Sequence, residues 1–228
     1  MSLPDEVRAI LLDIEGTTTP IAFVHDVLFS YAREHVSEFL SENSLAEDVA
    51  LLREEHAVDV KEGRNPPPLT AGYVQWLIAL DRKSTGLKSL QGKIWRQGYE
   101  QGLLKSQVFE DVAPAFERWR ERGLRIAIFS SGSVLAQQLL FAHTEVGDLT
   151  RFIDGYFDTK VGKKGEAESY RRIAEGMGLD PEQILFISDV VTELDAANKA
   201  GMKTLLSIRP GNSEQPQIYP SIRTFDSI

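Results

Sequence analysis

The chain has 228 residues, of which 42% are hydrophobic and 26% charged, and its formal net charge is -9. This length suits one α/β domain with an insertion, or two small domains, and the composition is ordinary for a globular protein. The acidic balance argues against binding to nucleic acid or to anionic membranes, because both need a basic surface. An anionic small molecule is not excluded, since a few cations in one cleft suffice to bind it.

The chain contains no cysteine, so disulfides, thiolate catalysis and cysteine-ligated metals are impossible. The absence of cysteine also favours a cytoplasmic location. Its polar first residues lead directly into an apolar run, which predicts that there is no signal peptide. No apolar run approaches the roughly 20 residues that a membrane-spanning helix needs. We therefore expect a cytoplasmic protein without a membrane partner.

Short, continuous apolar runs predict buried parallel strands, because strands covered on both faces do not alternate. These runs are residues 8–13, 124–130, 184–189 and 203–208, and a weaker one at 153–158 is expected at a sheet edge. Helical patterns lie between them at 113–121, 134–141, 166–177 and 192–200. Alternating strands and helices predict an α/β fold with a doubly wound, mostly parallel sheet.

Residues 20–104 interrupt this alternation and are predicted to form a helical insertion, with 1–19 and 105–228 forming the α/β core. Apolar residues there recur at helical spacing, which predicts amphipathic helices. The two recurring sets are Val27, Leu28, Tyr31, Val36, Phe39 and Leu40, then Tyr73, Val74, Leu77, Ile78 and Leu80. The Pro-rich residues 65–68 cannot be helical.

Polar side chains follow three of the predicted strands. Ligands of open α/β sheets bind outside the carboxyl ends of the strands, so these groups are expected to meet at one edge of the sheet. The residues are Asp13 and Glu15 after the first strand, Ser130 and Ser131 after the second, and Asp189 and Glu193 after the fourth.

Each of these groups also has an ordinary structural explanation. An acid after a strand is often a turn residue or a helix cap. The serines of 130–133 suit a cap for the next helix as well as an anion site. The lysines of 160–164 suit a solvated loop as well as a phosphate counter-charge. The structural explanations weaken when the groups are taken together, because all three acidic or serine groups fall at strand ends.

The ordered motifs resemble those of the haloacid dehalogenase superfamily of phosphatases. The first motif of that family, Asp-x-Asp-Gly-Thr, is similar to residues 13–17, with Glu15 in place of the second Asp. The second resembles the strand that ends at Ser130, the third the lysines of 160–164, and the fourth residues 188–193. The insertion resembles the cap domain of that superfamily. Residues 13–24, 129–133, 157–164, 168–170 and 209–212 are similar to one branch of it.

This resemblance implies an aspartyl-phosphate mechanism. Asp13 would be the nucleophile, and Glu15 would give a proton to the leaving group and later accept one from water. One Mg²⁺ per subunit would be held by the Asp13 carboxylate, the Glu15 main-chain carbonyl and the Asp189 carboxylate.

The resemblance also implies how the phosphate is bound. Ser130 and the Ser131 N–H would hold phosphate oxygens. The family pattern places the phosphate lysine at Lys164 and not at Lys160 or Lys163. Glu193 would orient Lys164 or a magnesium-bound water.

The implied substrate is a small phosphorylated diketone. In the resembling branch, 2,3-diketo-5-methylthiopentyl 1-phosphate is enolised and then dephosphorylated to an acireductone in methionine salvage. A monomer is expected. Four apolar residues would either contact the methylthio tail or belong to the ordinary core, and the sequence favours neither: Phe23, Val24, Phe29 and Trp95.

Three alternatives remain at this point. The first is another phosphatase or phosphomutase of the same superfamily. The second is an inactive protein that binds a phosphorylated ligand, although the intact set Asp13, Glu15, Lys164 and Asp189 argues against lost catalysis. The third is an aspartyl-phosphate response receiver, which gives no reason for the long helical insertion.

Overall fold

The computed structural model describes residues 3–42, 46–80, 82, 84–216 and 218–228. The chain forms two compact units. One contains the residues up to Val24 together with Lys105–Ile228, and the other contains His25–Leu104. No helix in the described ranges is both long enough and apolar enough to cross a membrane.

The first unit is built on a six-stranded sheet with the order β3-β2-β1-β4-β5-β6, in which every pairing is parallel. The strands are β1 Ala9–Leu12, β2 Arg125–Phe129, β3 Gly155–Phe157, β4 Ile184–Ser188, β5 Lys203–Ser207 and β6 Ser221–Ile222. This confirms the predicted fold class and the position of the weak strand, β3, at an edge. The sheet has one strand more than predicted, because β6 has only two residues and no recognisable apolar run.

The α-helices of the described residues are, in chain order, α1 Ser30–Glu42, α2 Ala46–Lys61, α3 Ala71–Ala79, α4 Thr85–Glu100, α5 Val112–Glu121, α6 Val134–Ala142, α7 Ala167–Met177 and α8 Val191–Lys199. Helices α5 to α8 agree with the four predicted core helices to within a residue at each end. A short π-helical segment, Phe23–Phe29, precedes α1.

The register of the sheet brings the ends of its central strands level. Leu12, the last residue of β1, is opposite Ile128 of β2 and Ile187 of β4. Residues that follow these strands therefore leave the sheet at the same edge. The central strands are buried along almost their whole length, which explains why their sequences are continuous apolar runs.

The unit His25–Leu104 is helical, and the Pro-rich residues 65–68 are not helical. The predicted apolar face of α3 is buried at Tyr73, Val74, Leu77 and Ile78. Two residues assigned to apolar faces are instead exposed, Val27 by 39% and Leu80 by 52%.

The sequence did not predict α2 and α4 individually. The apolar residues of α2 do not form one stripe, since Leu52 is buried whereas Val58 and Val60 are exposed. Helix α4 begins at a recognisable cap, because the Ser84 hydroxyl accepts a hydrogen bond from the Leu87 N–H at 2.9 Å.

Candidate active site

The loop after β1 is built around one carbonyl. The N–H groups of Thr17, Thr18 and Thr19 all donate to the Ile14 carbonyl, at 3.2, 3.0 and 2.9 Å. Gly16 has a left-handed φ of 68°, and a Cβ at this position would lie 2.4 Å from Asp189 Oδ2. Only glycine adopts this turn without strain and leaves room for the neighbouring carboxylate.

Asp13 lies directly after β1 and is buried. Its N–H donates to the Ile187 carbonyl at 3.0 Å, which extends the pairing of β1 with β4 by one residue. The carboxylate Oδ1 accepts a hydrogen bond from Lys164 Nζ at 2.5 Å. Two residues further on, Glu15 is half-buried, and its backbone forms an isolated bridge with Thr19.

Lys164 joins two acids that are far apart in the sequence. Besides Asp13, its Nζ contacts Glu193 Oε2 at 2.6 Å, and its backbone carbonyl accepts a hydrogen bond from the Tyr170 hydroxyl at 2.8 Å. Burial lowers the pKa of Lys164, but the charges of Asp13 and Glu193 outweigh it, so the net shift is upward. Lys164 is therefore held as a cation.

The two other lysines of this segment lie in solvent. Lys160 is exposed. The Lys163 side chain is 84% exposed and is 3.6 Å from Glu166. Of the three lysines, Lys164 is the one whose charge lies beside Asp13.

The acids around Lys164 carry more negative charge than this one cation balances. Burial, followed by the charges of Asp13 and Glu193, raises the pKa of Asp189 to about 7. Burial and the charge of Asp13 raise the pKa of Glu193 to about 7, although Lys164 acts in the opposite direction. In the part of the chain that the structure describes, Asp13 and Glu193 both pair with the same cation, Lys164.

This charge pattern fits a bound divalent cation. Asp13 and Asp189 offer hard carboxylate oxygens, and the glycine turn lets the backbone approach Asp189 closely. Within the described ranges no group of three or more His, Asp or Glu side chains is arranged to hold a metal by itself. The predicted ligand set has two carboxylates and takes its third ligand from a backbone carbonyl.

The serines after β2 make different kinds of contact. The Ser133 hydroxyl caps α6 by accepting from the Ala136 N–H at 3.3 Å, so the ordinary cap explanation applies to this residue. Ser130 is buried, and its hydroxyl accepts from the Gly132 N–H at 3.1 Å. Ser131 is half-buried at the same turn. Ser130 and Ser131 are thus not needed to cap the helix.

Ser188 has a role that was not predicted from the sequence. Its hydroxyl donates to Glu193 Oε2 at 2.9 Å and accepts from the Val190 N–H at 3.1 Å. Ser188 therefore fixes the carboxylate that contacts Lys164. The signal was present, because Ser188 precedes Asp189 at a strand end, but serine is common at such positions.

Ser207, the last residue of β5, and residues after this strand also contact the loop after β1. The Gly16 carbonyl accepts from Asn212 Nδ2 at 2.9 Å and from the Ser207 hydroxyl at 3.2 Å. The Thr17 carbonyl accepts from Arg209 Nε at 3.1 Å. Residues 209–212 belong to the sequence resemblance, but no role was predicted for them.

The four apolar residues of uncertain role are distributed over both units. Phe23 and Val24 are buried in the first unit. In the second unit, Phe29 and Trp95 stack with ring centroids 6.2 Å apart, and the Trp95 indole donates to the Leu28 carbonyl at 2.8 Å. Core packing accounts for the burial of Phe23, Val24 and Trp95, whereas Phe29 is half-buried.

Comparison with known proteins agrees with this fold. Residues 7–201 match the family model of haloacid dehalogenase-like hydrolases. The chain has the fold of solved members, including a dehalogenase with a TM-score of 0.57 at 18% identity, covering 98% of this chain and 96% of that one. The chain belongs to the haloacid dehalogenase-like hydrolases, and within them to the enolase-phosphatase E1 family.

The second assignment depends on curated relatives named enolase-phosphatase E1. The protein from Synechococcus elongatus is 52% identical, with 100% of both chains covered. The protein from Danio rerio is 43% identical, covering 94% of this chain and 90% of the relative. The crystal structure of UTR4 protein from Saccharomyces cerevisiae is 36% identical with a TM-score of 0.79, covering 97% of this chain and 100% of that one.

These relatives confirm the resemblance inferred from the motifs. The protein is a phosphatase of the hydrolase class, so the alternative of an inactive binding protein is wrong. Phosphatases of this family are generally metal-dependent, and a small phosphate ester fits them as the substrate.

Proposed function

We propose that this enzyme is the magnesium-dependent enolase-phosphatase of methionine salvage. It converts 2,3-diketo-5-methylthiopentyl 1-phosphate to the acireductone 1,2-dihydroxy-3-keto-5-methylthiopentene and phosphate. The observation that carries the proposal is the buried contact of Lys164 with Asp13 and Glu193, beside Asp189, in a chain whose relatives are named enolase-phosphatase E1.

Asp13 is the nucleophile in this proposal. Its carboxylate oxygen attacks phosphorus, the bond from phosphorus to the substrate oxygen breaks, and an aspartyl-phosphate forms. Glu15 donates a proton to the departing oxygen. Glu15 then takes a proton from the water that attacks the aspartyl-phosphate, so that Asp13 and free phosphate are restored.

The remaining residues bind and orient the phosphoryl group. Ser130 and the Ser131 N–H hold its oxygens, and Lys164 neutralises part of its charge. Glu193 orients Lys164, which it contacts at 2.6 Å. The polar contacts of Lys164 with Asp13 support this arrangement, because they place a cation beside the attacking oxygen.

Asp13, Asp189 and the Glu15 carbonyl would hold Mg²⁺, one ion per subunit. When bound, the ion supplies positive charge against the phosphate and polarises the diketone oxygens for enolisation. The undercompensated charge of Asp189 and Glu193 supports a cation at this place.

In this proposal the helical residues 20–104 form the cap domain of this enzyme, and residues 1–19 and 105–228 form its α/β catalytic core. Phe23, Val24, Phe29 and Trp95 remain the candidates for contact with the methylthio tail. The monomeric state and the cytoplasmic location remain predictions from the sequence.

The test is an ultraviolet assay on the diketo phosphate, with phosphate release measured in parallel. We expect acireductone absorbance and phosphate in equal amounts, both dependent on added Mg²⁺. Phosphate release from sugar phosphates without acireductone formation would favour the alternative, another phosphatase or phosphomutase of the same superfamily.

A further inference from the structure

Side chains at the end of β5 and in the segment after it donate hydrogen bonds to two consecutive carbonyl groups of the loop after β1. Asn212 Nδ2 and the Ser207 hydroxyl donate to the Gly16 carbonyl at 2.9 and 3.2 Å. Arg209 Nε donates to the Thr17 carbonyl at 3.1 Å. The first of these two carbonyl groups belongs to Gly16, the residue directly after Glu15.

The donors are themselves fixed. Arg209 forms a two-point ion pair with Asp111, with both distances 2.9 Å. Its guanidinium carbon lies 4.6 Å from the centroid of the Phe109 ring and 4.4 Å from that of Phe225. Asn212 Nδ2 also donates to the Ser207 carbonyl at 3.2 Å, and this hydrogen bond connects the segment after β5 to the end of that strand.

The loop does not need these contacts merely to turn. Three N–H groups already converge on the Ile14 carbonyl, and they close the turn from within. The outer donors act instead on the peptide group that follows Gly16, and so they restrict rotation about a glycine, the residue with the greatest backbone freedom. That peptide group joins Gly16 to Thr17, and the N–H of Gly16 belongs to the peptide group that follows Glu15, so fixing the Gly16 carbonyl limits how far the backbone next to Glu15 can rotate.

The hydrogen-bond partners of the Asn212 amide also show which of its two ends is the nitrogen and which is the oxygen. Its nitrogen has two carbonyl acceptors, whereas its Oδ1 is buried without a hydrogen-bond partner within the described residues. The same oxygen lies 2.8 Å from the point that a Cβ on Gly16 would occupy. Asn212 thus packs directly against the glycine whose carbonyl it holds.

We propose that Asn212 and Ser207 are positioning residues for Glu15: by holding the Gly16 carbonyl, they keep the Glu15 carboxyl at the angle that proton transfer to the leaving group requires. This inference rests on the proposed function, because the acid–base role of Glu15 is part of that function. A displacement on the scale of an ångström lowers a rate by about 100-fold, so a small relaxation of the loop is measurable.

The leaving group provides the test. An enolate or alkoxide leaving group needs a proton, whereas 4-nitrophenolate departs without one. Asn212→Ala should therefore slow single-turnover phosphate transfer from the diketo phosphate by about 10- to 100-fold. The pre-steady-state burst of nitrophenolate from 4-nitrophenyl phosphate should change far less. Ser207→Ala should show the same pattern with a smaller difference.

Two further variants complete the experiment. Glu15→Gln is the reference for loss of the proton donor, and Ser213→Ala, an exposed neighbour, is the matched control that should leave both rates unchanged. An unfolded variant would lose both reactions, so a retained nitrophenolate burst also reports on the fold.

The outcomes separate the two hypotheses. If Glu15→Gln discriminates between the substrates and Asn212→Ala slows both equally, the positioning role is wrong and the proposed function stands. If Glu15→Gln itself does not discriminate, the acid–base role in the proposed function is wrong, and the inference fails with it.

Discussion

The two units of this protein differ in how the negative charge of their buried acids is balanced. In the helical unit, the Asp59 carboxylate accepts from Tyr73 at 2.7 Å, from Arg64 at 2.5 Å and from Arg82 at 3.0 Å. Burial raises the pKa of Asp59, but these partners outweigh it, so the net shift is downward. In the α/β unit, the pKa values of Asp189 and Glu193 are raised to about 7.

We interpret this difference as one between a structural carboxylate, Asp59, and carboxylates with a proposed function, Asp189 and Glu193. Asp59 connects α2, the loop after it and α3, and its charge is matched by its partners. Asp189 and Glu193 lie in a group whose negative charge exceeds its positive charge, at a cost to stability. Such unmatched charge is typical of a site that binds a ligand of the opposite sign.

The largest expected effect concerns Asp13, the proposed nucleophile, which lies among these acids. Asp13→Asn removes the attacking oxygen's charge with little change of shape. Turnover of the diketo phosphate should fall roughly 10⁴-fold or more, and labelling of the protein by radioactive phosphate should disappear. Circular dichroism should show an intact fold. Retained turnover would refute the role of Asp13.

Replacing Lys164 should have the next largest effect, because Lys164 is the cation that balances part of the negative charge of these acids. Lys164→Ala should abolish activity and lower the free energy of unfolding by about 3–5 kcal/mol, since it leaves buried acids without their partner. Lys163→Ala, at an exposed position, should change the free energy of unfolding by less than about 0.5 kcal/mol. Equal loss of activity in both variants would contradict the assignment of the phosphate lysine.

Replacing one buried acid in each unit compares what the two acids contribute to the free energy of unfolding, measured in metal-free protein at pH 8. Asp59→Asn should lower the free energy of unfolding by about 3 kcal/mol, because it breaks a buried, matched group. Asp189→Asn should raise it by about 1 kcal/mol, because it removes a repelling charge. Urea unfolding measures both. The same sign for both variants would contradict the proposed difference.

The smallest effect is a pH dependence. Asp189 and Glu193 have folded pKa values of about 7, above the ordinary values of 3.8 and 4.5. The folded protein therefore binds more protons between these limits, and the stability that these groups contribute is lost as the pH rises through about 7. Mg²⁺ needs the deprotonated carboxylates and should offset this loss.

The increase in melting temperature on adding Mg²⁺ should consequently be larger at pH 8 than at pH 5.5. In Asp189→Asn the increase should be small at both values. An increase that does not depend on pH in the unaltered protein would show that Asp189 is not where the metal binds.

The sequence alone was sufficient to predict five of the six strands and to show that the candidate site residues follow strand ends. Buried parallel strands need continuous apolar runs, and the site residues follow strand ends, so both leave a local pattern. Strand β6 and helix α2 have no such pattern in the sequence. The first is too short to form a run, and the second buries Leu52 while Val58 and Val60 remain exposed.

Only the tertiary structure decided which charges meet. Three lysines lie within residues 160–164, and spacing alone does not distinguish them; folding buries Lys164 against Asp13, a residue 151 positions away in the chain. The contacts of Ser207, Arg209 and Asn212 with the loop after β1 arise in the same way. Such pairings depend on long-range packing, because a hydrogen bond between distant segments leaves no periodic signal in either of them.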